Sequence, residues 1–310
     1  MQLAIVIPCY NEQEVLPETA RRIDELMSDM VRRGKIAGES SVYFVDDGSR
    51  DRTWSLIEGL AASSRRFHGI KLSRNRGHQT ALLAGLQNAK GEAIVSVDAD
   101  LQDDLNAIEK MVDAYREGAD VVYGVRQSRD EDTAFKRLTA EGYYKLLAAL
   151  GVDVVFNHAD YRLMSRRAVD ALCAFDESNL FIRGIIPQIG FPSAIVKYDR
   201  RERFAGESKY PLKKMIALAW NGVTSFSAAP LRLITGLGAA ISVVTLGVAC
   251  WALAIKLFTT SALPGWASTV VPIYFLGGVQ LLAIGIMGEY LAKIYLETKR
   301  RPKYFVDKLL

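Results

Sequence analysis

With only three histidines and three cysteines in 310 residues, the chain has little material for zinc or redox chemistry. His68, His78 and His158 have no spacing that suggests a zinc site. Cys9, Cys173 and Cys250 are odd in number and far apart, which excludes a secreted disulfide scaffold and suits a reducing compartment. There is no G-x-G-x-x-G after a strand-like run, no G-x-x-x-x-G-K-[ST] and no G-x-S-x-G. Dehydrogenases, P-loop ATPases and lipase-like hydrolases therefore drop out. Net charge is slight too, because 39 Lys and Arg against 35 Asp and Glu give +4. Only 24% of residues are charged and 50% are hydrophobic, so enough apolar surface can be buried to offset ordering entropy, and disorder is excluded. The length allows one large domain or two modest ones. No basic region precedes the apolar run Leu3–Ile7, so no signal peptide is expected.

What charge there is lies unevenly. Lys197 to Lys214 holds seven basic and three acidic residues, and Glu289 to Leu310 holds six and three. Both stretches adjoin long hydrophobic runs, so they read as facing a membrane surface or phosphate groups and not nucleic acid; an ordinary solvated face is the alternative. Leu233 to Ile255 is 23 residues without a charge, enough at about 1.5 Å per residue to cross a hydrocarbon layer of about 30 Å. Leu257 to Gly288 is an uncharged run of 32, interrupted by Pro264-Gly265 and Pro272. It reads as a loop near 259–268 and a second span near 269–287. A buried soluble helix competes for either run alone, but two in succession with basic flanks predict a transmembrane hairpin. Arg232 precedes the first run, and Lys299, Arg300, Arg301 and Lys303 follow the second, while the loop has no Lys or Arg beyond Lys256 at its edge. By the positive-inside rule both termini are cytoplasmic, in a multi-pass protein of the cell (inner) membrane. Lys209 to Arg232 repeats apolar residues at helical spacing opposite Lys213 and Lys214, which predicts an interfacial amphipathic helix; a soluble helix packed on the domain is the alternative.

Upstream, strands and helices alternate. Leu3–Pro8, Val42–Asp46, Gly69–Ser73, Ala93–Asp98 and Ala119–Gly124 read as buried strands. Between them come segments of helical period, the first with Asn11 as expected N-cap and Glu14 three residues on. Short links between alternating elements predict a mainly parallel sheet covered by helices. Ligands bind such sheets at the carboxyl ends of the strands, and there the polar residues gather: Pro8-Cys9-Tyr10-Asn11-Glu12, Asp46-Asp47-Gly48-Ser49, Ser73-Arg74-Asn75-Arg76-Gly77 and Asp98-Ala99-Asp100-Leu101-Gln102-Asp103.

Asp98 and Asp100 are two apart, so in extended chain they point to one side and can address one hard cation, magnesium or manganese. Such an ion bridging a diphosphate stabilises the charge that builds on a departing nucleoside diphosphate. Arginines share that task through bidentate contacts to phosphate; Arg126, Arg129, Arg162, Arg201 and Arg203 are candidates, each against the alternative of a surface ion pair. In Asp160-Tyr161-Arg162-Leu163, acid and base lie two apart, on one face if the segment is a strand.

In this order the rim motifs resemble family 2 glycosyltransferases with the GT-A fold. Asp160-Tyr161-Arg162-Leu163, Gly206-Glu207-Ser208-Lys209-Tyr210 and Gly288-Glu289-Tyr290-Leu291 resemble the polyprenyl-phosphate branch, which includes bactoprenol glucosyltransferases and dolichol-phosphate mannose synthases. The resemblance covers essentially the whole chain. It implies an α/β, Rossmann-like mainly parallel sheet with helices on both faces in a cytoplasmic catalytic domain (1–205). Juxtamembrane amphipathic helices (206–231), two transmembrane helices (232–288) and a cytoplasmic basic tail helix (289–310) complete the expected organisation. It implies transfer of a hexose, first of all glucose from UDP-glucose, to polyprenyl (undecaprenyl) phosphate, inverting an α-linked donor to a β-linked lipid phosphate. By the resemblance Pro8, Tyr10, Glu12 and Asp47 hold base and ribose, Asp98 contacts the nucleotide, and Arg126 approaches the phosphates. Asp100 and Gln102 hold the divalent cation. Asp160 is the catalytic acidic residue, with Asp100 and Arg162 counted beside it, and Arg201, Arg203 and Lys209 approach the lipid phosphate.

His78-Gln79 stands where Lys-Glu or Lys-Asn is frequent in the family, and Ser165 where Asp is frequent, which leaves the donor open. No Q-x-x-R-W of a processive synthase is present. Because a phosphate monoester has its second pKa at about 6, the acceptor is largely ionised at neutral pH and needs a general base less than a hydroxyl does. Asp160 is therefore expected mainly to hold Arg162 and orient the acceptor. Partners implied are nucleotide sugar, polyprenyl phosphate and membrane lipids, with a homo-oligomer left open. GDP-mannose or UDP-N-acetylhexosamine as donor, and a non-enzymatic nucleotide-binding scaffold or translocator, are the competing readings.

Overall fold

Strand β1, Leu3–Cys9, has no charged residue and is buried along its whole length, as expected of a central strand covered on both sides. The computed structural model describes residues 1–126, 158–177, 182–199, 229–258 and 266–310. Around β1 lie β2 (Ser41–Asp46), β3 (Phe67–Leu72), β4 (Ala93–Ser96), β5 (Val121–Arg126), β6 (His158–Ser165), β7 (Ser193–Tyr198) and β8 (Val306–Leu309), in the order β7-β5-β6-β4-β1-β2-β3-β8. β1 pairs parallel with β2 and β4, as do β2 with β3 and β5 with β7. β6 runs antiparallel between β4 and β5, and β8 antiparallel along β3. The sheet is thus mostly parallel, and the five expected strands are all present.

Alternation divides the strands between two faces. Leu3, Ile5, Ile7 and Cys9 join one core with Val42, Phe44, Val95, Tyr161 and Leu163. That core is covered by α1 (Leu16–Arg32), α2 (Thr53–Ser63) and α4 (Ala107–Arg116). Leu16, Ala20, Ile23, Met27 and Met30 of α1 recur every three or four residues and are buried. The other face carries α3 (His78–Asn88), whose Gly85 lies so near Val6 and Val45 that a methyl group there would collide with both. Two shorter helices follow, α5 (Arg166–Cys173) and α6 (Ile182–Gln188). One expectation fails locally. Asn11 does not cap α1; it has φ 56°, and its side chain accepts the Arg50 amide (2.9 Å), while Val15 occupies the cap position.

Among the described residues two units form. One comprises 1–126, 158–177, 182–199 and 300–310; the other comprises 229–258 and 266–299. The second holds α7 (Ala229–Phe258) and α8 (Trp266–Thr298), which contact each other. Helix α8 begins slightly before the expected span and contains Pro272, so this proline does not break it. Among the described residues one segment, Phe275–Thr298, is long and apolar enough by itself to cross a membrane. The expected tail helix over 289–310 needs correction. Only its beginning continues α8; Val306–Leu309 is the strand β8, and residues 300–310 belong with the sheet. There Lys303 Nζ donates to the Phe175 carbonyl (3.1 Å) and the Ser73 amide donates to the Phe305 carbonyl (3.0 Å). The expected amphipathic segment lies outside the described residues up to 228.

Candidate active site

Because β1 to β4 run parallel, their carboxyl ends share one side of the sheet. The segments after β1 and β2 are zipped together. The Asn11 amide donates to Ser49 Oγ (3.0 Å), the Glu12 amide to Thr53 Oγ1 (2.9 Å) and the Gln13 amide to Asp51 Oδ2 (3.2 Å). Pro8 is buried in β1 opposite Val45, whereas Tyr10 is 43% exposed at its end. Asp46 and Asp47 are both buried. One Asp46 oxygen accepts the Ser49 amide (3.1 Å) and the other has no hydrogen-bond partner among the described residues; burial pushes its carboxyl upward. Asp47 uses both oxygens on the backbone, accepting the Arg76 amide at 2.7 Å and the Gly77 amide at 2.9 Å. Burial raises its pKa while those amides pull it back. Gly48 has φ 69°, and a Cβ there would lie 2.5 Å from the Asn75 nitrogen, so only glycine permits this approach of the two loops.

At the neighbouring strand end, Leu101 has φ 57°, turning the chain so that the Gln102 amide donates back to Asp100 Oδ1 (3.2 Å). Gln102 and Asp103 are buried. Asp103 accepts from the Tyr198 hydroxyl (2.7 Å), and Arg126 Nη2 stands 3.8 Å from the same carboxylate. Burial, and then the charges of Asp98 and Asp100, push the Asp103 carboxyl up to about 6 against the pull of Tyr198 and Arg126. A divalent cation fits this end of the sheet by donor chemistry, since Asp98, Asp100 and Gln102 offer hard oxygens and the crowded negative charge is felt at Asp103. Among the described residues no three His, Cys, Asp or Glu side chains gather into a ready ligand set. A cation here would therefore complete its shell with water and phosphate oxygens, as magnesium commonly does.

Strand β6 brings the second half of the site. Ser96, the last residue of β4, is paired with Arg162 in antiparallel register, so Asp160 lies just past the end of β4, where the chain continues to Asp98. His78, the first residue of α3, stands between them. Its Nε2 is 3.0 Å from Asp98 Oδ1 and its Nδ1 3.9 Å from Asp160 Oδ2. Desolvation opposes a charge on the imidazole, but the hydrogen bond to Asp98 and the charges of both carboxylates raise its pKa. Asp160 accepts from Arg162 Nη2 (2.6 Å), Arg183 Nε (3.0 Å) and Arg183 Nη2 (2.8 Å). Burial works against its charge, yet the Arg162 and Arg183 guanidiniums with His78 outweigh it and hold the carboxyl well below the usual carboxylate range. A carboxylate held this way is a weak base and a strong anchor.

The structure thus brings together Asp98, Asp100, Gln102, Asp160 and Arg162, with Arg126 beside Asp103. It places Pro8, Tyr10, Glu12 and Asp47 along the ends of β1 and β2. Arg129, Arg201, Arg203 and Lys209 lie outside the described residues. Sequence reading missed Arg183 and Tyr198, quoted Asp103 within a rim motif without giving it a role, and noted His78 as no zinc ligand and as a departure from a family pattern. The Gly77-His78 step just after the third strand end was the available signal for His78; Arg183 had none, because only the packing of α6 brings it to Asp160.

The glycosyl transferase family 2 pattern matches residues 4–173. The chain is 51% identical to the uncharacterized glycosyltransferase YkoT of Bacillus subtilis (strain 168), over 98% of this chain and 91% of that protein. It is 38% identical to the prophage bactoprenol glucosyl transferase homolog of Escherichia coli (strain K12), over 100% of this chain and 99% of that one. Among solved structures, mannosyl-3-phosphoglycerate synthase from Rubrobacter xylanophilus shares the fold with a TM-score of 0.50 at 17% identity, over 77% of this chain and 75% of that one. A GT-A sheet with an acidic and an arginine-rich half at its strand ends, and a family pattern running through both, make this chain a member of glycosyl transferase family 2, and an enzyme.

Proposed function

We propose that the enzyme transfers a hexose, glucose from UDP-glucose in the first instance, to polyprenyl phosphate with inversion, forming a β-linked polyprenyl-phosphate sugar on the cytoplasmic side of the membrane. The observation that carries this reading is the state of Asp160, already neutralised by Arg162 and Arg183. An acceptor hydroxyl needs a base; an ionised phosphate monoester needs cationic neighbours and orientation instead. The pairing of Asp160 with two arginines supports the second kind of acceptor. On the donor side, Asp100 and Gln102, with Asp98 beside them, would hold magnesium or manganese against the nucleotide diphosphate. Such an ion, when bound, offsets the charge that develops on the departing diphosphate. Asp47 keeps the loop before α3 in place, and Arg126, 3.8 Å from Asp103, is assigned to the donor phosphates.

Relatives named for bactoprenol glucosyl transfer support a polyprenyl phosphate acceptor. The apolar Phe275–Thr298 segment supports membrane association. Basic flanks on α7 and α8 support two spans with both ends cytoplasmic. The test is a donor screen with purified protein, undecaprenyl phosphate, magnesium or manganese, and EDTA controls. UDP-glucose is expected to give EDTA-sensitive lipid-linked glucose. Turnover with another nucleotide sugar alone would replace the donor, and no turnover with any would overturn the reading.

A further inference from the structure

The first two residues of α3 hold different partners. His78 donates from Nε2 to Asp98 Oδ1 (3.0 Å) on the donor side. Gln79 Oε1 accepts the Ile182 amide (3.3 Å), at the start of α6, and Arg183 next to it binds Asp160 through two hydrogen bonds. The place where α3 begins is itself fixed, because both Asp47 oxygens hold the Arg76 and Gly77 amides and Gly77 takes φ 90° immediately before the helix. The preceding Ser73 amide is held by the Phe305 carbonyl. A fixed helix start thus carries a hydrogen bond from His78 to Asp98 and one to the amino end of α6 through Gln79, with the second His78 nitrogen 3.9 Å from Asp160.

We infer that His78 and Gln79 are a pair of positioning residues: His78 orients Asp98 toward the bound nucleoside diphosphate, and Gln79 fixes the helix that sets Arg183 on Asp160. The inference rests on the proposed function for what the two halves bind, and it divides the labour between adjacent side chains. Loss of the imidazole leaves Asp98 free to turn from the diphosphate, so donor binding falls. Loss of the Gln79 carbonyl frees the amino end of α6, so Arg183 shifts and turnover falls while donor binding stays.

The experiment uses the full chain in detergent or nanodiscs, with UDP binding by calorimetry alongside steady-state transfer. His78→Ala is expected to raise the donor KM and the UDP dissociation constant by about tenfold, with kcat within about threefold. His78→Gln keeps an N–H donor within reach of Asp98 and is expected to recover most of that loss. Gln79→Leu is expected to lower kcat by about tenfold with donor KM unchanged, and Gln79→Glu, which keeps an acceptor, to lose less. Equal losses in both parameters for both positions, or rescue variants no better than the truncations, would overturn the division. Wild-type protein that binds no UDP and transfers no sugar would instead overturn the proposed function and this inference with it. Thermal unfolding of each variant separates misfolding from misplacement.

Discussion

At the scale of the residue, Asp160 decides most. Its carboxyl is held below the ordinary range by two arginines, so it is ionised throughout the neutral region and its charge does not change between pH 6 and pH 8. Asp160→Asn is accordingly expected to lower transfer about 100-fold or more at both pH values, giving a profile parallel to the wild type. A loss confined to low pH would mean that Asp160 titrates as a base. The pair Asp160 and Arg162 was legible because two residues of spacing on a strand put both side chains on one face. Arg183 was not, since it is remote in sequence and reaches the carboxylate only once α6 has packed. Asp47 was legible as a rim residue, but its work of gripping two amides of another loop was not, because backbone partners leave no mark in composition.

At the scale of the element, β6 and α5 show how a strand that pairs on both sides is locked to the helix after it. Ser165, the last residue of β6, caps α5 by accepting the Ala168 amide (3.2 Å) and donates its hydroxyl to Asp120 Oδ1 (2.7 Å). Asp120 also accepts from Arg167 Nε (2.6 Å) and Nη2. The Arg167 hydrogen bonds hold the Asp120 carboxyl below its ordinary value, so the sign is fixed. The contribution is fully present above the unfolded pKa of about 3.9 and disappears as pH falls through the lower folded value. Because Arg167 is largely exposed, solvent screening keeps the effect modest. Asp120→Asn is expected to cost about 1 kcal/mol at pH 7, with the gap from wild type closing below about pH 4 in denaturant titrations. The five strands with continuous apolar runs were readable. β7 was not, because it alternates exposed and buried residues, and β8 has only four residues with two charges among them.

At the scale of the whole molecule, the unexpected feature is that residues 300–310 rejoin the sheet after two long apolar helices. Leu310 donates its amide to the Gly69 carbonyl (2.9 Å), and Leu72 is registered on Val306. Removing residues 303–310 would bare the outer edge of β3 and release the Ser73 amide at the head of the loop leading to His78. That truncation is expected to lower the unfolding temperature and increase self-association, as read by thermal unfolding and size-exclusion chromatography. A short basic tail, its apolar residues broken up by Asp307 and Lys308, gave no sign of this pairing, since a short edge strand draws its order from the neighbour it lies on. The order of synthesis adds a consequence. Residues 303–310 are translated after α7 and α8, so while those helices leave the ribosome the nascent sheet still has β3 as a bare margin. Closure of that margin therefore waits until both helices have been made.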